Sequence, residues 1–133
     1  VRAVIERAIV EGANTVIDGV SLVPGPYDLA GWRERAHVVL RLAADEKLKV
    51  VLSGATEAWL VANEIAGAKV PVILTPTANL PRAFESLGAR TDLAARLARA
   101  GVTIAISPRE RDMHLSRNLR FEAGTAVAHG LPW

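Results

Sequence analysis

Residues Leu48–Thr75, LKVVLSGATEAWLVANEIAGAKVPVILT, decide the fold class of this chain. The segment contains two short and nearly continuous apolar runs, Leu48–Ser53 and Val70–Thr75, separated by a predicted helix over Thr56–Ala68. Apolar runs of this length are typical of strands that are buried on both faces of a parallel sheet. A strand, a helix and a second strand in this order predict a βαβ unit with parallel strands.

The same alternation continues in both directions along the chain. Further helices are predicted at Arg2–Glu11, Leu29–Lys47, Asp92–Ala100 and Leu115–His129, and further strands at Thr15–Val23 and Val102–Ser107. The order predicts an α/β fold with one parallel sheet that is covered by helices. Two architectures fit it: an open doubly wound sheet, or part of a (β/α)8 barrel, of which four strands are half.

Local signals refine two of these helices. The apolar residues Val38, Val39, Leu42 and Ala43 are expected on the buried stripe of the helix Leu29–Lys47. Thr91 is expected to cap the following helix, and Gly101 to end it.

Composition excludes several classes of protein. The 133 residues are 50% hydrophobic and 23% charged, which indicates one globular domain over residues 1–133 rather than a disordered chain. There is no cysteine, which excludes disulfides, cysteine-bound zinc and a cysteine nucleophile. A net charge of +2 and 5% aromatic residues argue against a nucleic-acid partner. No apolar run approaches the roughly 18–20 residues of a membrane-spanning helix.

The termini suggest that the sequence is a piece of a longer protein. It begins at Val1 with no signal-peptide pattern and ends at Trp133 directly after a predicted helix.

Standard catalytic motifs are absent from the sequence. It contains neither of the glycine-rich phosphate-binding patterns, nor GxSxG, HxH or HExxH. In both candidate architectures the chemistry lies at the carboxyl ends of the strands. That edge corresponds to four loops, at Pro24–Asp28, Gly54–Glu57, Pro76–Pro81 and Pro108–His114.

The loop after the last strand contains the strongest candidates, Asp112 and His114, whose carboxylate and imidazole can both face a ligand at this spacing. Asp18 is a second candidate, because a carboxylate in an apolar run is costly to bury without partners. The alternative interpretation is that Asp18 lies at a strand end or bulge and has no functional role. Glu57 is explained by the dipole of the helix that follows it. His37 is expected on the surface or partly packed, and His129 at a helix C-terminus, where the dipole favours a positive charge. Trp59 and Trp133 are expected to pack. The polar residues expected near this face are Asn79, Asn118 and Arg120.

Two longer stretches carry a family resemblance. They are VVLSGATEAWLVANEIAGAKVPVILTPTANLPRAFESLGARTDLAARLARAGVTIAIS and RNLRFEAGTAVAHGLPW. Both resemble the C-terminal half of metal-dependent amidohydrolases, most closely the imidazolonepropionase-like group. The resemblance covers about residues 36–133, and its most specific pieces are GATEAW, the NLP…FESLGAR stretch and RNLRFEAG…AHGLPW.

The resemblance implies half of a (β/α)8 barrel that hydrolyses C–N bonds of small linear or cyclic amides, with one or two divalent metals such as zinc or manganese activating a water. The HxH pair of such enzymes belongs to a first strand that is missing here, and the middle strands end in Ser53-Gly54 and Asp18-Gly19 without histidine. The family's last ligand, an aspartate after the eighth strand, corresponds to Asp112, with His114 beside it. The implied metal site is therefore incomplete, and the isolated chain is expected to be inactive.

Two alternatives remain open. Residues 1–26, which contain VRAVIERAIVEGANTVIDGVSLVPG, resemble a segment of 2-phosphoglycerate kinases and suggest a phosphoryl-transfer fragment, although the phosphate loop is missing. The second alternative is a non-catalytic half-barrel module. Its two open sheet edges would favour assembly into a homo-oligomer.

Overall fold

The computed structural model describes residues 15–18, 29–81, 87–108 and 116–133. Strands β1 to β4 are Thr15–Asp18, Val50–Ser53, Val72–Leu74 and Ile104–Ile106. Helices α1 to α4 are Leu29–Asp45, Ala62–Gly67, Leu93–Arg99 and Leu119–Ala128. A short 3-10 turn precedes α2 at Ala58–Val61, and another follows β3 at Pro76–Ala78. The helix predicted at Arg2–Glu11 lies outside the described residues.

The four strands form one parallel sheet in the order β1-β2-β3-β4. Thr15 pairs with Val50, Leu52 with Val72, and Val72 with Ile104. A doubly wound sheet reverses its strand order at a switch point, whereas a (β/α)8 barrel adds each strand beside the previous one. Since the described strands show no reversal, the sheet is consistent with half of such a barrel, and the predicted α/β fold class is confirmed.

The core lies between the sheet and its covering helices. It contains Ala36, Val39, Leu40 and Ala43 of α1, Val50 and Leu52 of β2, Val72 and Leu74 of β3, and Leu93 and Leu97 of α3. The α1 residues follow the i, i+3, i+4, i+7 spacing of one helical face. The expected stripe was wrong at Val38, which is 55% exposed, because this face is centred on Val39 and Leu40.

Element ends differ from the sequence prediction in ways that local geometry explains. The predicted helix Thr56–Ala68 divides into a 3-10 turn and α2 at Val61, whose φ of −130° is not helical. Helix α3 starts at Leu93 with Asp92 at the N-cap position, so Thr91 is not its cap. Gly101 ends α3 as predicted, with a φ of +84° and its N–H bonded to the Ala98 carbonyl.

Over the described ranges, no helix combines the length and the apolar character needed to cross a membrane.

Candidate functional site

Parallel pairing brings the carboxyl ends of the strands to one edge of the sheet. Asp18 is the last residue of β1 and stands opposite Ser53, the last residue of β2. The strand-end alternative for Asp18 is therefore confirmed by its backbone position. At the other side of this edge, the Thr75 hydroxyl donates to the Ser107 carbonyl at 3.1 Å, which joins the chain after β3 to the chain after β4.

A buried carboxylate, Glu57, fastens the loop that precedes α3. It is only 5% exposed, and its Oε1 accepts a hydrogen bond from the Gly88 N–H at 2.8 Å. Burial raises the pKa of Glu57, while the Gly88 hydrogen bond opposes that rise. The indole N–H of Trp59 donates to the Gly88 carbonyl at 2.9 Å, so both backbone polar groups of Gly88 are bonded to this turn.

Glu57 lies at a helix start as expected, and in addition it has a tertiary role that the sequence did not predict. It lies at the N-cap of the 3-10 turn but makes no side-chain cap hydrogen bond there. Its partner is 31 residues away along the chain, which a local sequence signal does not reveal.

A second buried carboxylate, Glu122 of α4, holds the turn after β3. It is 4% exposed, and its two oxygens accept hydrogen bonds from the Thr77 N–H at 2.9 Å and the Thr77 hydroxyl at 2.6 Å. Hydrogen bonds to a carboxylate are strong enough to offset much of the cost of burying it. Sequence reasoning did not single out Glu122, although it lies within the quoted RNLRFEAG run.

Asn79 lies between these two fastenings. It is 3% exposed, and its buried side-chain Nδ2 has no hydrogen-bond partner among the described residues. Asn79 lines a cleft of about 440 Å³ together with Leu80, Pro81 and the segment Ala89–Asp92. An unsatisfied buried amide donor costs about 1–3 kcal/mol, so Asn79 is a candidate to donate a hydrogen bond to a group bound in this cleft. The sequence expectation that Asn79 lies near this face is confirmed.

The far wall of the cleft is made rigid by charge pairing. Asp92 accepts hydrogen bonds from the Nε of Arg90 at 2.8 Å and the Nε of Arg96 at 2.9 Å. These two guanidinium groups lower the pKa of Asp92 to about 2. Both also lie over the Trp59 ring, 5.4 and 5.7 Å from its centroid, so Trp59 serves packing as expected.

The remaining candidates are spread over the molecule. Asp112 and His114 lie outside the described residues, so their assignment stays a prediction. His37 is partly exposed and bonds Glu64 at 3.2 Å, as expected for a surface residue. His129 lies at the C-cap of α4, as expected, where the helix dipole favours a positive charge. The expectation that Trp133 packs was wrong, because its side chain is fully exposed.

Asn118 and Arg120 lie at the start of α4, at its N-cap and in its first turn. Across the described segments, no three histidine or acidic side chains are grouped so that they could hold a metal ion.

Comparison with known proteins finds one informative structural likeness. No protein-family model and no curated protein matches the chain. A crystal structure of an amidohydrolase from Thermotoga maritima superposes with a TM-score of 0.65 at 20% sequence identity, over 96% of this chain. The match spans 30% of that chain, so this sequence corresponds to less than a third of its length. At this identity the likeness concerns the fold: the chain folds as part of an amidohydrolase does.

Replacing Glu122 tests the fastening of the turn after β3. Glu122→Ala leaves the Thr77 N–H and hydroxyl without their acceptors, and we expect it to lower the free energy of unfolding by about 1–3 kcal/mol in urea titrations. Glu122→Gln keeps one acceptor oxygen and should lose less. Glu46→Ala, at an exposed acid next to the end of α1, is the control. Equal losses for Glu122→Ala and Glu46→Ala would contradict the assignment.

Asp92→Asn tests the charge pairing by its pH dependence. The folded pKa of about 2 lies below the usual 3.8, so the carboxylate contributes stability that is present above pH 3.8 and lost as the pH falls through about 2. We expect the variant to be less stable than wild type by about 1 kcal/mol at pH 7, with the gap narrowing below pH ~4. Asp45→Asn, at the exposed end of α1, controls for the loss of one charge. A gap that stays constant down to pH ~2.5 would rule out the pairing.

Proposed function

We propose that this chain is the amidohydrolase-like part of a metal-dependent hydrolase that acts on C–N bonds in small linear or cyclic amides, in the imidazolonepropionase-like branch. The observation that carries the proposal is the sequential parallel sheet, which folds as part of a solved amidohydrolase does. Polar groups collect at the carboxyl edge of this sheet, where barrel enzymes place their chemistry.

The role of the described residues in this function is positional. Glu57 fastens the loop before α3 and Glu122 fastens the turn after β3, and the cleft at Asn79 opens between them. An amide donor next to a rigid wall is suited to orienting a polar substrate group. These residues therefore shape the site without performing the bond cleavage.

The proposed cofactor is a divalent zinc or manganese ion held by Asp112 and His114. A bound metal of this kind polarises a carbonyl and activates a water. Catalytic zinc centres use three protein ligands, so two from this chain leave the set incomplete. We therefore expect no amide hydrolysis by the chain alone, and full activity only with the rest of the barrel.

Metal titration tests the proposed ligands. We expect calorimetry to show zinc binding to the full chain. Asp112→Asn and His114→Ala should each weaken zinc binding about tenfold or more. The loss of a ligand costs at least as much affinity as the loss of a residue that only hydrogen-bonds a ligand. His129→Ala and Asp45→Asn are the matched controls and should bind as wild type does. Absence of zinc and manganese binding, or equal weakening by the controls, would contradict the assignment.

A second candidate function, assembly of half-barrels, is favoured by the open edge at β4. The Thr103 carbonyl and the Ser107 N–H bond to β3, so by the strand's period of two the backbone groups of Ile104 and Ile106 point to the open side. Helix α4 packs against β4 and leaves Phe121 68% exposed. If β4 of each of two copies pairs with β1 of the other copy, the eight parallel strands close into one barrel.

Sedimentation distinguishes this assembly from a monomer. Closure predicts a species of twice the 14.2 kDa chain mass. Ile106→Pro removes the outward N–H and should shift the species to one chain, whereas Ile106→Val keeps that N–H and should not. A wild-type monomer at all concentrations would exclude the assembly.

A further inference from the structure

A second cleft, of about 530 Å³, lies in the outer helical layer and shares Trp59 and Arg96 with the far wall of the Asn79 cleft. Side chains from α1, from the 3-10 turn and α2, and from α3 line it. All of these elements belong to the described part of the chain.

The cleft has an excess of positive charge. Among the described lining residues, Arg33, Arg96 and Arg99 stand against the carboxylate of Glu64, and Asp92, outside the lining, pairs with Arg96 at 2.9 Å. The Glu64 carboxylate already accepts a hydrogen bond from His37 at 3.2 Å, and its side chain is 46% exposed. Three guanidinium groups around one concave surface produce a positive potential that attracts an anion.

The arginines are placed differently within the cleft. Arg33 is anchored, because its Nη2 donates to the Leu60 carbonyl at 3.1 Å. Arg96 is held by Asp92 and by the Trp59 ring. Arg99 is exposed, and within the described segments it makes no hydrogen bond or ion pair. Its Nη2 lies 3.5 Å from the point where a Cβ on Gly130 would be, which places it against the end of α4.

We propose that this cleft binds a small multivalent oxyanion, through the guanidinium groups of Arg33, Arg96 and Arg99 with the exposed carboxamide of Asn63 as a further donor. Guanidinium groups bind pairs of phosphoryl or carboxylate oxygens with two parallel hydrogen bonds. The volume is within the roughly 300–1,000 Å³ of small-molecule pockets. A net charge of only +2 argues for a small ligand over a long polyanion. The site is independent of the proposed hydrolysis.

Calorimetric titration of the full chain with pyrophosphate tests the proposal, and citrate is the parallel carboxylate probe. We expect at least one to bind with a dissociation constant below about 1 mM at low ionic strength, and binding to weaken in higher salt. The tighter of the two identifies phosphoryl or carboxylate chemistry.

Variants locate the binding. Arg99→Gln should weaken it about tenfold, as expected for loss of a charge-assisted pair, and Arg99→Lys should weaken it less because the charge remains. Arg41→Gln, at an exposed arginine of α1 outside the cleft, should bind as wild type does. Thermal melting checks that each variant is folded. Binding of neither probe up to about 10 mM would overturn the proposal. So would equal weakening by Arg41→Gln and Arg99→Gln.

Discussion

Parallel pairing of β3 with both of its neighbours is the constraint on which the other features depend. Val72 pairs with Leu52 on one side and with Ile104 on the other, and its side chain is fully buried. Because parallel neighbours need a crossover connection, each strand returns through a helix that covers the sheet. The strand-end loops then meet at one edge, where Glu57, Thr77 and Asn79 are found.

Two buried carboxylates convert this edge into a defined surface. Glu57 binds the loop before α3 and Glu122 binds the turn after β3, each through a backbone N–H. Burying a carboxylate is costly, and these hydrogen bonds offset part of the cost. The loops they hold flank the Asn79 cleft, so both groups define its shape. The arginine cleft of the outer layer is lined from α1, α2 and α3, and it shares Arg96 and Trp59 with the wall of the Asn79 cleft.

The fold class followed from the sequence because alternating apolar runs and helical segments permit few arrangements. The strand order did not follow from the sequence, because a doubly wound sheet and a barrel have the same alternation of strands and helices. They are separated by the order in which the strands lie side by side in the sheet. The position of Val38 was misjudged because a shift of one residue turns a helical position by 100° around the axis.

Sequence reasoning found less of the candidate site. It placed Asn79 at the correct edge because the residue follows a strand. Glu122 was missed because its partner, Thr77, lies 45 residues away, and neither residue is unusual in its own segment. Trp133 was expected to pack on the basis of residue type alone, yet it is exposed at the end of the chain. Asp112 and His114 were singled out by their place after the last strand, and their role as metal ligands rests on the family resemblance.

The sequential order of the sheet is the central claim, and interstrand proton contacts measured by nuclear magnetic resonance test it most directly. A sequential sheet predicts backbone contacts between Val51 and β1, between Leu52 and Val72, and between Val72 and Ile104. β2 and β3 then each have two neighbouring strands. Contacts between β1 and β3 or between β1 and β4 within one chain would show a different strand order. That result would contradict the half-barrel and the candidate site built on its edge.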